Sequence, residues 1–289
     1  MPINNISRDR LSEEENFHDA WAHTQNVSDI DIHLMNESCT TPEMRFIHKT
    51  FSDVKGKRLL DLGCGLGEAS VYFALRGAQV TAVDISQGML DATKALAKRY
   101  GVEVKVCKLS AESLTLANDQ WFDLIYAGNL FHHVDIESTL QKIAPNLCPG
   151  GSLISWDPVA YNPLINVYRK LAMGVRTADE HPLTLKDIET FKKYFSEVEC
   201  HWFWLTTLVI FVIFALVQRR DPNKVRYWKK VIEEGQRWKW FYQPLERLDG
   251  ILLKIFPFLK VYCWNVVIIA RKPKQISELP VGGKDEHGT

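Results

Sequence analysis

Three glycines lie within five residues behind a short apolar segment, in the stretch 59–70 (LLDLGCGLGEAS). This spacing is typical of a loop whose backbone must approach a ligand closely. A Walker loop would continue with Gly-Lys-Ser or Gly-Lys-Thr, whereas Gly67 is followed by Glu68. A carboxylate at the start of a helix would repel a phosphate, so a phosphate ligand is disfavoured. The dinucleotide motif also fails, because Glu68 stands where its last glycine would fall.

Two acidic residues flank this loop. Asp61 precedes the first glycine, and Asp84 ends the next apolar segment, 21 residues past Gly63. A carboxylate at that distance can accept hydrogen bonds from both hydroxyls of a ribose. The loop therefore predicts a ligand that contains adenosine and lacks phosphates.

Alternating strands and helices would position these residues. The apolar and glycine pattern predicts helices over 14–23, 68–75, 89–100, 139–147 and 187–195, after a flexible segment over 1–15. It predicts strands over 58–62, 79–84, 102–109, 122–127, 152–156, 197–205 and 262–271. Strand–helix alternation at this spacing indicates a doubly wound α/β domain with a parallel sheet covered on both faces.

Four motifs follow in order: DLGCGLGE, VTAVDIS, FDLIYAGNLFHHV and LCPGGSLI. Together they resemble the class I S-adenosylmethionine-dependent methyltransferases, and more narrowly the branch with ubiquinone and menaquinone methyltransferases. The resemblance covers about 55–160. It implies a Rossmann-like methyltransferase sheet, S-adenosylmethionine as cofactor and S-adenosylhomocysteine as product.

The resemblance also implies a set of cofactor-binding residues. They are Asp61, Gly63, Cys64, Gly65, Gly67, Asp84, Ile85, Met89, Ser110, Ala111, Glu112 and Asn129. Asp61 would face the ammonium group of the cofactor, and Asp84 its ribose. Ile85 and Met89 would contact the adenine, although Met89 is equally suited to the core. Asn129 would lie near the transferred methyl group.

His132 and His133 would follow the fourth strand, beside the site of methyl transfer. An imidazole there could deprotonate a hydroxyl or amine acceptor near neutral pH. The alternative is that one histidine is buried and the other shapes the pocket. Tyr161, Asn162 and His181 follow the fifth strand and are candidates for the acceptor pocket, where a polar loop packed on the domain is the alternative.

A segment at 207–260 is too long for an ordinary connection. It begins within an apolar run, 202–217, and carries eleven Lys and Arg against five Asp and Glu, a net charge of plus six. A helix-spaced apolar stripe follows, made of Leu245, Leu248, Leu252, Ile255, Phe256 and Leu259. Basic charge, tryptophans and an apolar face indicate a peripheral membrane segment, a lid over a hydrophobic acceptor, or both. A buried core helix is the alternative.

These patterns divide the chain into a helical cap (1–54), a cofactor-binding domain (55–206), a helical insertion (207–260), a final strand (261–272) and a disordered tail (273–289). Six scattered cysteines show no CxxC pair or His–Cys cluster, so we expect no metal site and a cytoplasmic location, at the membrane face if the insertion docks there.

The expected substrate is a small hydrophobic acceptor, such as a quinol, a polyketide or a lipid-like molecule. The net charge is zero, and we expect no nucleic-acid partner. Two alternatives stay open. One is a methylase of nucleic acid or protein, and the other is a non-catalytic protein that uses the fold as a scaffold.

Overall fold

A seven-stranded sheet forms the centre of the protein. In the computed structural model, which describes residues 3–115, 121–172 and 180–274 and side chains from Arg10 onward, the strand order is β3-β2-β1-β4-β5-β7-β6. The strands are β1 (Arg58–Leu62), β2 (Gln79–Asp84), β3 (Val104–Lys108), β4 (Phe122–Gly128), β5 (Leu147–Pro158), β6 (Phe195–Phe203) and β7 (Asn265–Pro273). The first five are parallel, and β7 runs antiparallel between β5 and β6. The predicted α/β class is confirmed.

Helices cover both faces of the sheet. They are α1 (Ile3–Thr24), α2 (Ile32–Glu37), α3 (Pro42–Thr50), α4 (Glu68–Leu75), α5 (Gln87–Tyr100), α6 (Ile136–Ile143), α7 (Pro163–Leu171), α8 (Leu185–Tyr194), α9 (Val209–Val212), α10 (Tyr227–Glu233) and α11 (Gly235–Ile255). One buried cluster joins the sheet to α6 and α8, and a second joins it to α3 and α4. Burial of both faces explains why the central strands are continuous apolar runs.

The structure differs most from the predicted elements at two points. Helix α1 begins at Ile3, so residues 3–15 are helical where a flexible segment was expected over 1–15. Strand β5 begins at Leu147, and residues 149–151 form an irregularity within it rather than a preceding turn. Gly150 has φ +82°, which glycine adopts without steric cost. Most of the predicted tail, from residue 275, lies outside the described residues.

The insertion between β6 and β7 has its own apolar core. The apolar run after β6 forms α9 and a π-helical turn, Ile213–Val217, and buries Ile210, Phe211 and Phe214. These side chains pack against α7, α10 and α11. The buried Asp249 carboxylate accepts hydrogen bonds from the hydroxyls of Thr206 and Thr207 at 2.5 and 2.9 Å. No helix among the described residues is long and apolar enough to cross a membrane.

Candidate active site

A cavity of about 390 Å³ opens at the carboxyl ends of β1, β2, β4 and β5. Helix α1 and the insertion complete its walls. Parallel strands present their carboxyl ends at one edge, so residues distant in sequence converge there. The predicted residues that line this cavity are Asp61, Gly63, Cys64, Gly65, Asp84, Ile85, Ser110, Ala111, Asn129, His132 and His133.

The glycine loop joins β1 to α4 and uses each glycine differently. Gly63, Gly65 and Gly67 have φ of +72°, +54° and +87°, a backbone region that residues with a side chain rarely adopt. A Cβ at Gly67 would lie 2.7 Å from the Thr93 side chain, so this glycine permits close packing of α4 on α5. A Cβ at Gly65 would meet no atom within 4 Å, because this glycine faces the cavity. Cys64 is buried, which holds the pKa of its thiol well above the ordinary value, and this favours a space-filling role.

Asp84 orients the loop and faces the cavity at the end of β2. One carboxylate oxygen accepts the backbone N–H of Gly65 and the other that of Ser86, both at 2.9 Å. Burial raises the pKa of Asp84, and these two hydrogen bonds oppose the rise. Each oxygen retains a lone pair, so the carboxylate can accept two further hydrogen bonds. These two free acceptor positions fit the two hydroxyls of a ribose.

Asp61 supplies a second negative charge at the other end of the loop. It is 1% exposed, and the Ser70 hydroxyl donates to its carboxylate at 2.5 Å. Burial raises the pKa of Asp61 to about 7. A buried carboxylate at a cavity wall is stabilised by a cationic ligand, because the cation restores the charge interactions lost with water. Asp61, Gly65 and Asp84 therefore fit the ammonium and ribose of S-adenosylmethionine.

We expect Asp61→Asn to stabilise the free protein and weaken its response to ligand. The raised pKa means that the folded state binds more protons than the unfolded chain between pH about 4 and 7, so wild-type stability falls as pH rises through that window. Asparagine removes this loss. Thermal melts should show Asp61→Asn with the higher Tm at pH 8 and a smaller advantage at pH 5. Saturating S-adenosylhomocysteine should raise its Tm less than that of the wild type. A Tm difference that does not vary with pH would contradict this account.

His132 is held by a buried acid. Its Nδ1 lies 3.0 Å from a carboxylate oxygen of Asp157, and its backbone N–H donates to the same oxygen at 3.3 Å. Burial raises the pKa of Asp157 strongly, and hydrogen bonds from three backbone N–H groups, of residues 130–132, oppose this. A carboxylate that accepts the Nδ1 proton leaves the Nε2 lone pair of the imidazole as its basic position. The pair can thus act as a proton acceptor.

Further titratable groups surround the two histidines. Nδ1 of His133 lies 3.5 Å from a carboxylate oxygen of Glu14, and His18 contacts the same carboxylate at 3.3 Å. Hydrogen bonds from the two imidazoles hold the pKa of Glu14 below its usual range, although burial opposes this. His132, His133 and Glu180 each offer one atom that could bind a metal ion, a ring nitrogen or a carboxylate oxygen, and these three atoms lie within 4.8 Å of one another. The sequence spacing did not reveal this grouping, because Glu180 is far along the chain.

Several predicted site residues lie outside the cavity lining. Those from the cofactor set are Gly67, Met89 and Glu112, and those from the acceptor set are Tyr161, Asn162 and His181. Met89 is fully buried in the core between α1, α4 and α5. The Glu112 carboxylate pairs with Arg10 of α1 and accepts the backbone N–H of Asp135 at 2.8 Å.

The three acceptor candidates have structural contacts instead. Asn162 caps α7 by accepting the N–H of Ile165 at 3.0 Å. The Tyr161 hydroxyl accepts the N–H of Leu185 at 3.0 Å, and the backbone N–H of His181 donates to the His132 carbonyl at 2.8 Å. These contacts are those expected of a polar loop packed on the domain, and the assignment of the three residues to the acceptor pocket stays a prediction.

Aromatic residues that the sequence did not assign to the site form much of the remaining wall. They are Phe17, Trp21, Trp156, Tyr168, Trp204, Trp228 and Trp264. They come from α1, β5, α7, the insertion and the start of β7. Two of them, Phe17 and Trp21, lie four residues apart on one helical face of α1. The cavity therefore joins a polar half at the glycine loop to an aromatic half beneath the insertion.

The fold and this site define a Rossmann-like domain that binds an adenosine-containing cofactor. Residues 60–155 match a family model described as a methyltransferase domain. The chain is 36% identical over 115 residues to the ubiquinone biosynthesis O-methyltransferase of Aeromonas salmonicida (strain A449), covering 38% of this chain and 48% of that protein. The enzyme of the same name from Pseudomonas putida (strain W619) is 36% identical over 111 residues, covering 37% and 48%. The chain thus spans about half the length of the curated relatives it matches.

A solved structure extends the similarity of the fold. Phosphoethanolamine N-methyltransferase 2 of Haemonchus contortus, in complex with phosphomonomethylethanolamine and S-adenosylhomocysteine, aligns with a TM-score of 0.52 and 19% identity. The alignment covers 80% of this chain and 52% of that one. Residues 60–155 therefore match a methyltransferase domain, and their sequence is similar to that of the ubiquinone biosynthesis O-methyltransferases. The recognition from sequence motifs is confirmed.

Proposed function

We propose that this protein transfers the methyl group of S-adenosylmethionine to a small hydrophobic acceptor, such as a quinol, a polyketide or a lipid-like molecule. The observation that carries the proposal is the two-part cavity, with Asp61, Gly65 and Asp84 at one end and aromatic side chains at the other. A hydrophobic acceptor would bury apolar surface against these rings. Sequence similarity to the ubiquinone biosynthesis O-methyltransferases also supports a small hydrophobic acceptor.

The chain would contribute position and proton transfer. The cofactor supplies a methyl group on an already activated sulfonium, so alignment of the acceptor accounts for much of the acceleration. Asp84 would hold the ribose and Asp61 the ammonium group. The Asp157–His132 pair would take the proton of a hydroxyl or amine acceptor as the bond to the methyl forms. Trp204, Trp228 and Trp264 would exclude water from the acceptor half.

The test supplies the purified protein with radiolabelled S-adenosylmethionine and an extract of its host cells. We expect label in the organic phase, in a product of low molecular mass. Label in nucleic acid or protein would instead favour a macromolecular methylase, and the basic insertion would then be its binding surface. Absence of calorimetric binding of S-adenosylhomocysteine would favour a non-catalytic scaffold.

The insertion also presents an apolar face that fits an anionic membrane surface. Leu248, Ile251, Ile255 and Phe258, on α11 and just after it, are between 41% and 67% exposed. The exposed side chains of Arg247 and Lys254 flank them. Each basic residue near an anionic leaflet contributes about 1 kcal/mol. Trp238 and Tyr242 are buried in the insertion core, whereas Trp240 is 76% exposed. We propose peripheral membrane association through this face.

Vesicle flotation tests this association. The wild type should float with vesicles that contain phosphatidylserine, and less so in high salt, because salt screens the basic residues. The double variant Ile255→Glu/Phe258→Glu should lower the floated fraction roughly tenfold, since it places two charges in the apolar face. Leu75→Glu is the matched control, because Leu75 is 41% exposed on α4. Equal flotation of both variants and the wild type would refute the proposal.

A further inference from the structure

An arginine from the insertion projects into the cavity wall. Arg226 immediately precedes α10 and lines the cavity together with Trp21 of α1. Its guanidinium carbon lies 4.4 Å from the centroid of the Trp21 ring. Stacking on an aromatic face fixes the plane of a guanidinium and leaves its N–H edges available for in-plane hydrogen bonds.

Those N–H groups are not used within the described part of the chain. There, Arg226 has no carboxylate within 4.0 Å, and its side chain donates no hydrogen bond to the protein. Other partly buried arginines are paired, Arg10 with Glu112, Arg45 with Glu246 and Arg220 with Glu234. Partial burial of Arg226 lowers its pKa, which reports the cost of removing its charge from water. A guanidinium with five donors in such a place is suited to a planar anion.

Arg226 and the proposed base line the same cavity. The Tyr168 hydroxyl accepts the backbone N–H of Tyr227, the residue after Arg226, at 3.4 Å, and the negative charge of Glu180 opposes the effect of burial on the pKa of Arg226. The Glu180 carboxylate and the His132 ring in turn have atoms within 4.8 Å of each other. An acceptor that reaches from Arg226 to His132 would lie among the aromatic side chains of Tyr168 and Trp228.

We propose that Arg226 binds a carboxylate of the acceptor, so that the substrate is a hydrophobic aromatic acid whose nucleophilic group lies at His132. This assignment rests on the proposed methyl-transfer function and narrows its acceptor class. The guanidinium would make a bidentate contact with the carboxylate, and the aromatic walls would bury the rest of the molecule. The negative charge of Glu180 weakens this contact without abolishing it.

Calorimetry with two matched probes tests the proposal in the presence of saturating S-adenosylhomocysteine. Naphthalene-2-carboxylate and naphthalene-2-carboxamide have nearly the same shape and differ in charge. The wild type should bind the carboxylate at least tenfold more tightly than the amide. Arg226→Met should lose that preference and leave the affinity for the amide within about twofold, because methionine removes the charged donors and retains an apolar side chain of similar length. Arg237→Met, an exposed arginine of α11, should behave as the wild type.

Further outcomes separate the alternatives. Glu180→Gln should tighten carboxylate binding, since it removes a like charge. Equal binding of both probes to the wild type, no measurable carboxylate binding, or equal loss of both probes in Arg226→Met would each overturn the assignment. If Arg226→Met folds poorly, Arg226→Lys takes its place in the test. Lysine keeps the charge, so this variant should retain part of the preference for the carboxylate. Failure of S-adenosylhomocysteine to bind would overturn the proposed function instead, and the probe comparison without it would still report on Arg226.

Discussion

Asp84→Ala is expected to weaken the binding of S-adenosylhomocysteine at least tenfold. The Asp84 carboxylate has two roles in the structure. It accepts hydrogen bonds from the N–H groups of Gly65 and Ser86, and it presents its remaining lone pairs to the cavity. Alanine removes the acceptors for a ribose and leaves the Gly65 N–H without its partner. Loss of two hydrogen bonds to a charged group corresponds to roughly 3 kcal/mol or more, so the tenfold figure is a lower limit.

Isothermal calorimetry measures this effect directly. Asp91→Ala is the matched control, because Asp91 lies on the exposed face of α5 and pairs with Lys94. We expect the control to bind as the wild type does, and Asp84→Asn to fall between the two, since an amide oxygen replaces only part of the acceptor capacity. Unchanged affinity in Asp84→Ala, with a folded protein by circular dichroism, would show that the ribose lies elsewhere.

His132→Ala is expected to lower the rate of methyl transfer about a hundredfold with little change in the affinity for S-adenosylhomocysteine. General-base catalysis by a positioned imidazole typically contributes 10²-fold or more. The wild-type rate should fall at acidic pH, where the imidazole is protonated, and the variant should lose that dependence. The measurement is the initial rate of label transfer to the low-molecular-mass product of the extract, across pH.

Two companion variants separate catalysis from structure. Added imidazole should restore part of the rate in His132→Ala, because the deleted side chain leaves space at the same position. Asp157→Asn should also slow transfer, since the amide cannot accept the Nδ1 proton in the same way and the favoured tautomer changes. A full wild-type rate in His132→Ala would assign catalysis to positioning alone, and the buried-histidine alternative would then hold.

The sequence was sufficient for the methyltransferase domain because its signals are local. The bounds predicted for β1, α4 and β2 are those of the structure, since a short apolar run, a glycine loop and a second run specify a βαβ unit within thirty residues. Predictions failed where a later part of the chain altered a local pattern. Residues 149–151 read as a turn, yet they lie inside β5, which is extended by pairing with β4.

The acceptor side of the site could not be read in the same way. Trp21, Arg226 and Glu180 come from a cap helix, an insertion and a loop, and each looks ordinary in its own segment. His132 acquires its acid only because β4 and β5 are adjacent and parallel, which places Asp157 beside the turn after β4. Conversely Asn162, which follows the fifth strand as a pocket residue should, is used to cap α7.

The sequence by itself therefore determined the class of fold and the cofactor, and it singled out Asp61, Gly65 and Asp84, which line the cavity. These follow from steric and charge requirements that act over a few residues. The tertiary structure alone decided which aromatic side chains line the cavity, which acid pairs with His132 and where Arg226 stacks on Trp21. Such features depend on contacts between segments far apart in the chain, and only packing brings those segments together.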